Sequence, residues 1–355
     1  MAERRGRLGA LALALAATTL TLGLLEVALR ILDVRTASYH AIGGFTVYDP
    51  ALGWRLAPGR EAVFRGSHFT TSVVQNAEGL RDRHYAYART PGRRRILVLG
   101  DSFVWCWGVE QADCFTERLE AALGDTDVIN AGVPAWSTAQ EMLFYEREGR
   151  RYGADVVVLV FVPNDPVENL RGQGPRFRLV DGALVPPKGP VARRKGRVKA
   201  WLQEHSRLFA ELAYRVTVLQ QVIGQVLEAR GAAPAAPPAA APDPDAKAQA
   251  YVPAAPPLAS EAWPLTEALL DHLAADVRRD GARFAVVMEA MPRQMAGWLR
   301  DALARREIPT LELAPALRQA ELRGERVRLR GDPHLAARGQ EIVAAELRAF
   351  LERIH

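Results

Sequence analysis

Val156–Val162 (VVVLVFV) is an unbroken apolar run between Asp155 and the turn Pro163-Asn164-Asp165. Rich in β-branched residues and without a polar position on either alternating face, it reads as a strand buried on both sides. A parallel sheet covered by helices on both faces buries a strand in that way. The rest of the chain repeats the rhythm. Ile96–Leu99 ends in Gly100, Val128-Ile129 precedes Asn130-Ala131-Gly132, and Phe284–Met288 and Thr310–Leu313 follow later. Between these runs apolar residues recur at helical spacing. Phe115, Leu119 and Leu123 stop at Gly124, and residues 138–151 form the next helix. Leu265, Leu269, Leu273 and Val277 stop at Gly281, residues 293–306 follow, and Val343, Leu347, Phe350, Leu351 and Ile354 line the terminal helix. The alternation predicts an α/β fold with about five parallel strands, the 156–162 strand in the centre.

The 355 residues divide by composition. Residues 1–33 are a signal anchor or signal peptide, and 34–90 a polar, irregular approach segment in which Asn76–Asp82 reads as a turn broken by Gly79. Residues 91–353 form the α/β domain. An insertion at 166–262 carries a hairpin (177–180 and 183–185 around Asp181-Gly182), a long helix over about 199–230, and an Ala/Pro-rich linker at 231–260. The helix has an apolar stripe, Leu208, Leu212, Val216, Leu219, Ile223 and Val226.

At the N-terminus Arg4, Arg5 and Arg7 precede an uncharged run from Leu8 to Leu25, long enough to span a bilayer. The flanking arginines favour a cytoplasmic N-terminus, which puts the remainder outside the cytoplasm. Ala14-Leu15-Ala16 is a small-residue cleavage pattern, but the apolar run continues past it, which favours an uncleaved anchor. A buried helix of a soluble protein is the third reading. The net charge of +5 comes from scattered arginines, without the interleaved basic and aromatic residues of a nucleic-acid surface. Cys106 and Cys114 lie close enough in sequence for a short disulfide ring in an oxidising compartment; two packed thiols are the other reading.

Polar residues gather where the strands end. Gly100-Asp101-Ser102 follows the first strand, Gly132 the second and Asn164-Asp165 the central one, while Asp332-Pro333-His334 opens the terminal helix. Carboxyl ends of parallel strands share one sheet edge, so these segments converge. Together they supply a serine nucleophile (Ser102), a base (His334), an acid to orient it (Asp332) and oxyanion donors: the Ser102 and Gly132 N–H groups and the Asn164 amide. A G-x-S-x-G elbow, a G-x-G-x-x-G turn, a P-loop, H-E-x-x-H and C-x-x-C are all absent, so neither a metal nor a cofactor is expected.

These blocks resemble those of the SGNH, or GDSL-type, hydrolase superfamily. Gly100-Asp101-Ser102 matches its first block, Gly132 its second, Asn164-Asp165 its third and Asp332/His334 its last, densely over about 93–165 and 281–353. Asn76–Asp82 and the N-terminal anchor ending in Glu26 and Arg30 look like its membrane-anchored bacterial branch, which implies a periplasmic catalytic domain. Phe103 stands where many members have Leu, Val162 where the third block often has Gly, and one residue separates Asp332 from His334 where many members have two. The resemblance implies a three-layer α/β/α, flavodoxin-like fold. It also implies an esterase or deacylase acting on a small-molecule or carbohydrate ester through an acyl-enzyme on Ser102. The alternatives are an O-acyltransferase of cell-surface polysaccharide using the same residues, and a degenerate carbohydrate-binding module.

Overall fold

The computed structural model describes residues 2–32, 45–66, 68–191, 261–289 and 291–354, with part of 198–219. The long stretch 220–260, which includes the Ala/Pro-rich linker, lies outside the described residues, as do 33–44. The chain forms two compact units.

One unit holds α1 (Ala2–Ile31) and the described residues between 198 and 219. Ala12–Ile31 has the length and apolar composition to cross a membrane (mean hydropathy 1.9), and none of it is buried.

The other unit is built on a parallel sheet. Its strands are β5 (Arg94–Gly100), β6 (Thr126–Gly132), β7 (Val156–Phe161), β10 (Arg283–Met288) and β11 (Thr310–Glu312). Their order is β11-β10-β7-β5-β6, and all four neighbouring pairs run parallel. Counted along the chain this is 2-1-3-4-5, the flavodoxin-like order, with β7 central as its apolar run predicts. Alternation sorts the side chains. Ile96, Val98, Val128, Val158 and Val287 pack on one face with α2 (Phe115–Leu123), α7 (Ala314–Leu322) and α8 (Ala337–Arg353). On the other face Leu97, Leu99, Ile129, Val157 and Leu159 are equally buried. The second helical layer is α3 (Thr138–Arg147), α4 (Asp165–Arg171) and α5 (Ala262–Arg279), which pack on one another; α6 (Arg293–Ala304) meets α5 at Trp263–Trp298, 4.2 Å between rings. Each such buried side chain contributes about 1.5–3 kcal/mol.

Local signals set the boundaries. α2 stops at Gly124, whose φ of 72° suits glycine. α3 starts with a capping box between Ser137 and Gln140. Asp181 (φ 50°) and Gly182 (φ 78°) turn the antiparallel pair β8 (Arg178–Val180) and β9 (Ala183–Val185), the expected hairpin.

The approach segment departs from its irregular reading. From Phe45 onward it contains β1 (Thr46–Asp49) paired antiparallel with β2 (Gly53–Leu56), and β3 (Glu61–Arg65) paired with β4 (Thr70–Val74). These strands are short and partly exposed, so they carry no sustained apolar run.

Candidate active site

The topological switch point of the sheet lies between β5 and β7, and open α/β sheets bind ligands beyond the strand ends there. Ser102 follows β5 and Asn164 follows β7. The chain turns tightly after Gly100, because a Cβ there would lie 2.3 Å from Val104 Cγ2. Asp101 Oδ1 accepts the Phe103 N–H (3.0 Å), and the carbonyls of Asp101 and Ser102 accept Trp105 N–H (3.0 Å) and Trp107 N–H (3.1 Å). The result is a helical turn that presents Ser102 at its start.

His334 meets Ser102 from the far end of the chain. His334 Nε2 lies 2.7 Å from Ser102 Oγ, and His334 Nδ1 lies 2.6 Å from Asp332 Oδ1. Burial works against a charge on Asp332, but the hydrogen bonds from the His334 ring, its backbone N–H and Trp107 outweigh it and hold the carboxyl below its usual range. Asp332 is therefore an acceptor, Nδ1 carries the proton, and Nε2 accepts from the Ser102 hydroxyl. Ser102 and His334 are 0% and 2% exposed, so the relay is shielded from water. Trp107 stacks on the His334 ring (4.9 Å, 15°) and donates from Nε1 to Asp332 Oδ2 (3.1 Å).

The approach segment braces this loop. Arg81, 1% exposed, donates from Nη1 to the carbonyls of Trp105 (2.8 Å) and Cys106 (2.7 Å) and from Nη2 to that of Val109 (2.7 Å). Asp82 Oδ2 accepts Asn130 N–H (2.7 Å), and Asn130 Nδ2 donates to the Val104 carbonyl (2.7 Å). Arg328, paired with the buried Glu289 after β10 (3.0 Å), donates to the Pro333 carbonyl and so fixes the loop carrying His334. Trp107, Arg81, Asp82 and Asn130 are members of the site that sequence reasoning missed; the polar Asn76–Asp82 turn held two of them.

The oxyanion set needs one correction. The Gly132 N–H already donates to Asn130 Oδ1 (3.0 Å) inside the sheet. Glycine is required at 132 for packing: a Cβ would lie 2.3 Å from Trp105 N and 2.5 Å from Val104 C. Further along the same loop Ala135 has φ 62°, a left-handed conformation that favours glycine, and its N–H makes no hydrogen bond to the described residues. Among the described residues the Ala135 N–H is unengaged, whereas that of Gly132 is taken. The Ser102 N–H likewise makes none. Asn164 sits at the start of α4, held by a turn in which Asp165 Oδ2 accepts the Val162 N–H (2.9 Å); its side chain favours the charged form of Asp101.

Acids lie buried beneath this edge. Burial, offset in part by the Phe103 N–H, His334 and Asn164, pushes Asp101 up to about 6. Burial, then repulsion from Asp165 and Asp101, holds Glu141 well above the carboxylate range; burial, then repulsion from Asp101, does the same for Asp165, and among the described residues neither Glu141 oxygen has a hydrogen-bond partner. Cys106 and Cys114 are free, buried thiols; Cys106 Sγ lies 3.3 Å from the Val104 carbonyl.

No family model matches the chain, and no curated protein matches it. Solved structures are similar to it at low identity. A member of the lipolytic G-D-S-L family from Veillonella parvula is 12% identical, with 73% of this chain and 99% of that one covered and a TM-score of 0.39. The esterase EstA from a Pseudoalteromonas species is 10% identical, covering 74% and 98%, with a TM-score of 0.40. A catalytic mutant of an acetylxylan esterase from Geobacillus stearothermophilus is 10% identical, covering 73% and 94%, with a TM-score of 0.40.

Proposed function

We propose that the protein is an SGNH-type serine esterase, anchored by α1 with its catalytic domain outside the cytoplasm. The observation that carries the reading is the unbroken relay Ser102 Oγ–His334 Nε2 (2.7 Å) and His334 Nδ1–Asp332 Oδ1 (2.6 Å). Ser102 attacks an ester carbonyl as His334 takes its proton, and Asp332 stabilises the imidazolium. The carbonyl oxygen becomes an oxyanion, met by the Ser102 and Ala135 N–H groups and the Asn164 amide. His334 returns the proton to the departing alcohol, leaving an acyl group on Ser102. Water, activated by His334, then releases the acid. Because Ser102 is buried, a carbonyl reaches Oγ only after neighbouring groups shift. The same shielding favours the second reading, transfer of the acyl group to a sugar hydroxyl in place of water. The Arg4, Arg5 and Arg7 flank supports the orientation of α1.

Hydrolysis of p-nitrophenyl acetate, with and without a sugar acceptor, tests the reading. Ser102→Ala is expected to abolish turnover while remaining folded, and Asn164→Ala to lower kcat by about 10²–10³. Turnover by Ser102→Ala within about tenfold of the parent defeats the assignment, since nucleophile loss costs far more.

A further inference from the structure

Glu26 is the first charge after the apolar run of α1. From Leu8 to Leu25 the helix rises about 27 Å, close to a bilayer's hydrocarbon thickness, which sets Glu26 at its boundary. Its carboxylate accepts hydrogen bonds from Ser206 Oγ (2.9 Å), Arg207 N–H (3.0 Å) and Leu208 N–H (2.9 Å), and pairs with Arg30 (2.7 Å). Arg30 Nη2 donates to the His205 carbonyl (2.7 Å), and Arg207 Nη1 to that of Leu29 (3.2 Å). Residues 207–209, 211–213, 215, 216 and 219 are helical, so Glu26 caps the start of this segment from a different helix.

The capped segment turns an apolar stripe outward. Leu212, Val216 and Leu219, at i, i+4 and i+7, are 52%, 52% and 58% exposed. Arg215, paired with Glu211 (2.7 Å), borders the stripe, and Trp201, stacked on His205 (4.8 Å), is 56% exposed just before it. Arg193, Arg194, Lys195, Arg197 and Lys199 precede it in sequence.

We propose that the described residues between 198 and 219 lie in the membrane interface, with Leu212, Val216 and Leu219 among the acyl chains of the leaflet in which α1 ends. This rests on α1 spanning the membrane, as proposed above. The occupant is phospholipid because the stripe begins where the unburied face of α1 ends, and the hydrogen bonds of Glu26 and Arg30 hold it there. Trp201 is the residue type of the headgroup belt, and Arg215 reaches phosphate from the stripe's margin.

The test uses the full chain in nanodiscs of phosphatidylethanolamine and phosphatidylglycerol. Nitroxides are placed through Leu212→Cys, Val216→Cys, Arg215→Cys and Ala17→Cys, the native Cys106 and Cys114 being buried. Power saturation with oxygen and a nickel chelate is expected to show oxygen preference at 212, 216 and 17, and nickel preference at 215. Glu26→Ala should abolish the preference at 212 and leave 17 unchanged; an unchanged 212 signal overturns the capping role. Nickel preference at 212 and 216 with oxygen preference at 17 overturns the proposal and leaves the anchor standing. Nickel preference at 17 overturns both. Immobilised labels at 212 and 216, reached by neither reagent, overturn the lipid occupant in favour of a protein one.

Discussion

Trp107 touches the acid and the base of the relay together, so its two contacts can be separated. Trp107→Phe keeps an aromatic face on His334 but removes the hydrogen bond to Asp332 Oδ2. We expect kcat to fall by about tenfold, the equivalent of one lost hydrogen bond to a charged group, with KM little changed. A change confined to KM would place Trp107 in substrate binding. Asp332→Asn removes the charge that orients and stabilises His334, and a loss of about 10³–10⁴ in kcat is expected. Ala135 makes the opposite kind of prediction. At φ 62° an alanine is strained, so Ala135→Gly should raise the urea-unfolding free energy by about 0.5–1 kcal/mol and keep activity. Unchanged or lower stability would mean that the strain does not exceed the entropic cost of glycine. Ser102, Asp332 and His334 were legible in the sequence because each is polar where an apolar run stops or a helix starts. Ala135 was not: the role proposed for it depends on a backbone angle that alanine does not advertise, whereas Gly132 attracted that role by being glycine.

At the level of elements, the sheet positions the reactive loops and the approach segment locks them. Arg81 satisfies carbonyls of residues 105, 106 and 109 from a segment that lies outside the sheet. Lysine cannot reproduce this planar fork. Arg81→Lys should therefore cost about 2–4 kcal/mol of stability through unsatisfied buried carbonyls, and lower kcat by loosening the turn at Ser102. A stability loss without a kinetic one, read from urea unfolding beside ester turnover, would show that the brace serves folding alone. The five strands were readable because a doubly covered sheet demands apolar runs, of which Val156–Val162 is the clearest. The hairpins of residues 46–74 were not, since strands exposed on one side need no such run. Nor was the role of Arg81, because long-range hydrogen bonds to carbonyls leave no spacing pattern.

For the whole molecule, the burial that shields the site from water also stores unfavourable charge. Asp101 sits at about 6 in the folded protein, above the ordinary carboxyl value of the unfolded chain. Proton uptake therefore stabilises the fold fully below about pH 4, and this contribution disappears as pH rises through about 6. Asp101→Asn keeps an acceptor for Phe103 N–H without the charge. Its stability relative to the parent should increase by up to about 3 kcal/mol between pH 4 and 8, from about two pH units at 1.36 kcal/mol each. Parallel curves for the two proteins would contradict the shift. The sheet gathers Ser102 and Asn164 at one switch point, and the reactive centre proposed there is one serine. The most direct measurement of that centre is mass mapping of the adduct formed with a small fluorophosphonate. One adduct per chain is expected on the peptide containing Ser102, absent in Ser102→Ala and strongly slowed in His334→Ala. An adduct on another residue, or ester turnover with no adduct at Ser102, would contradict it.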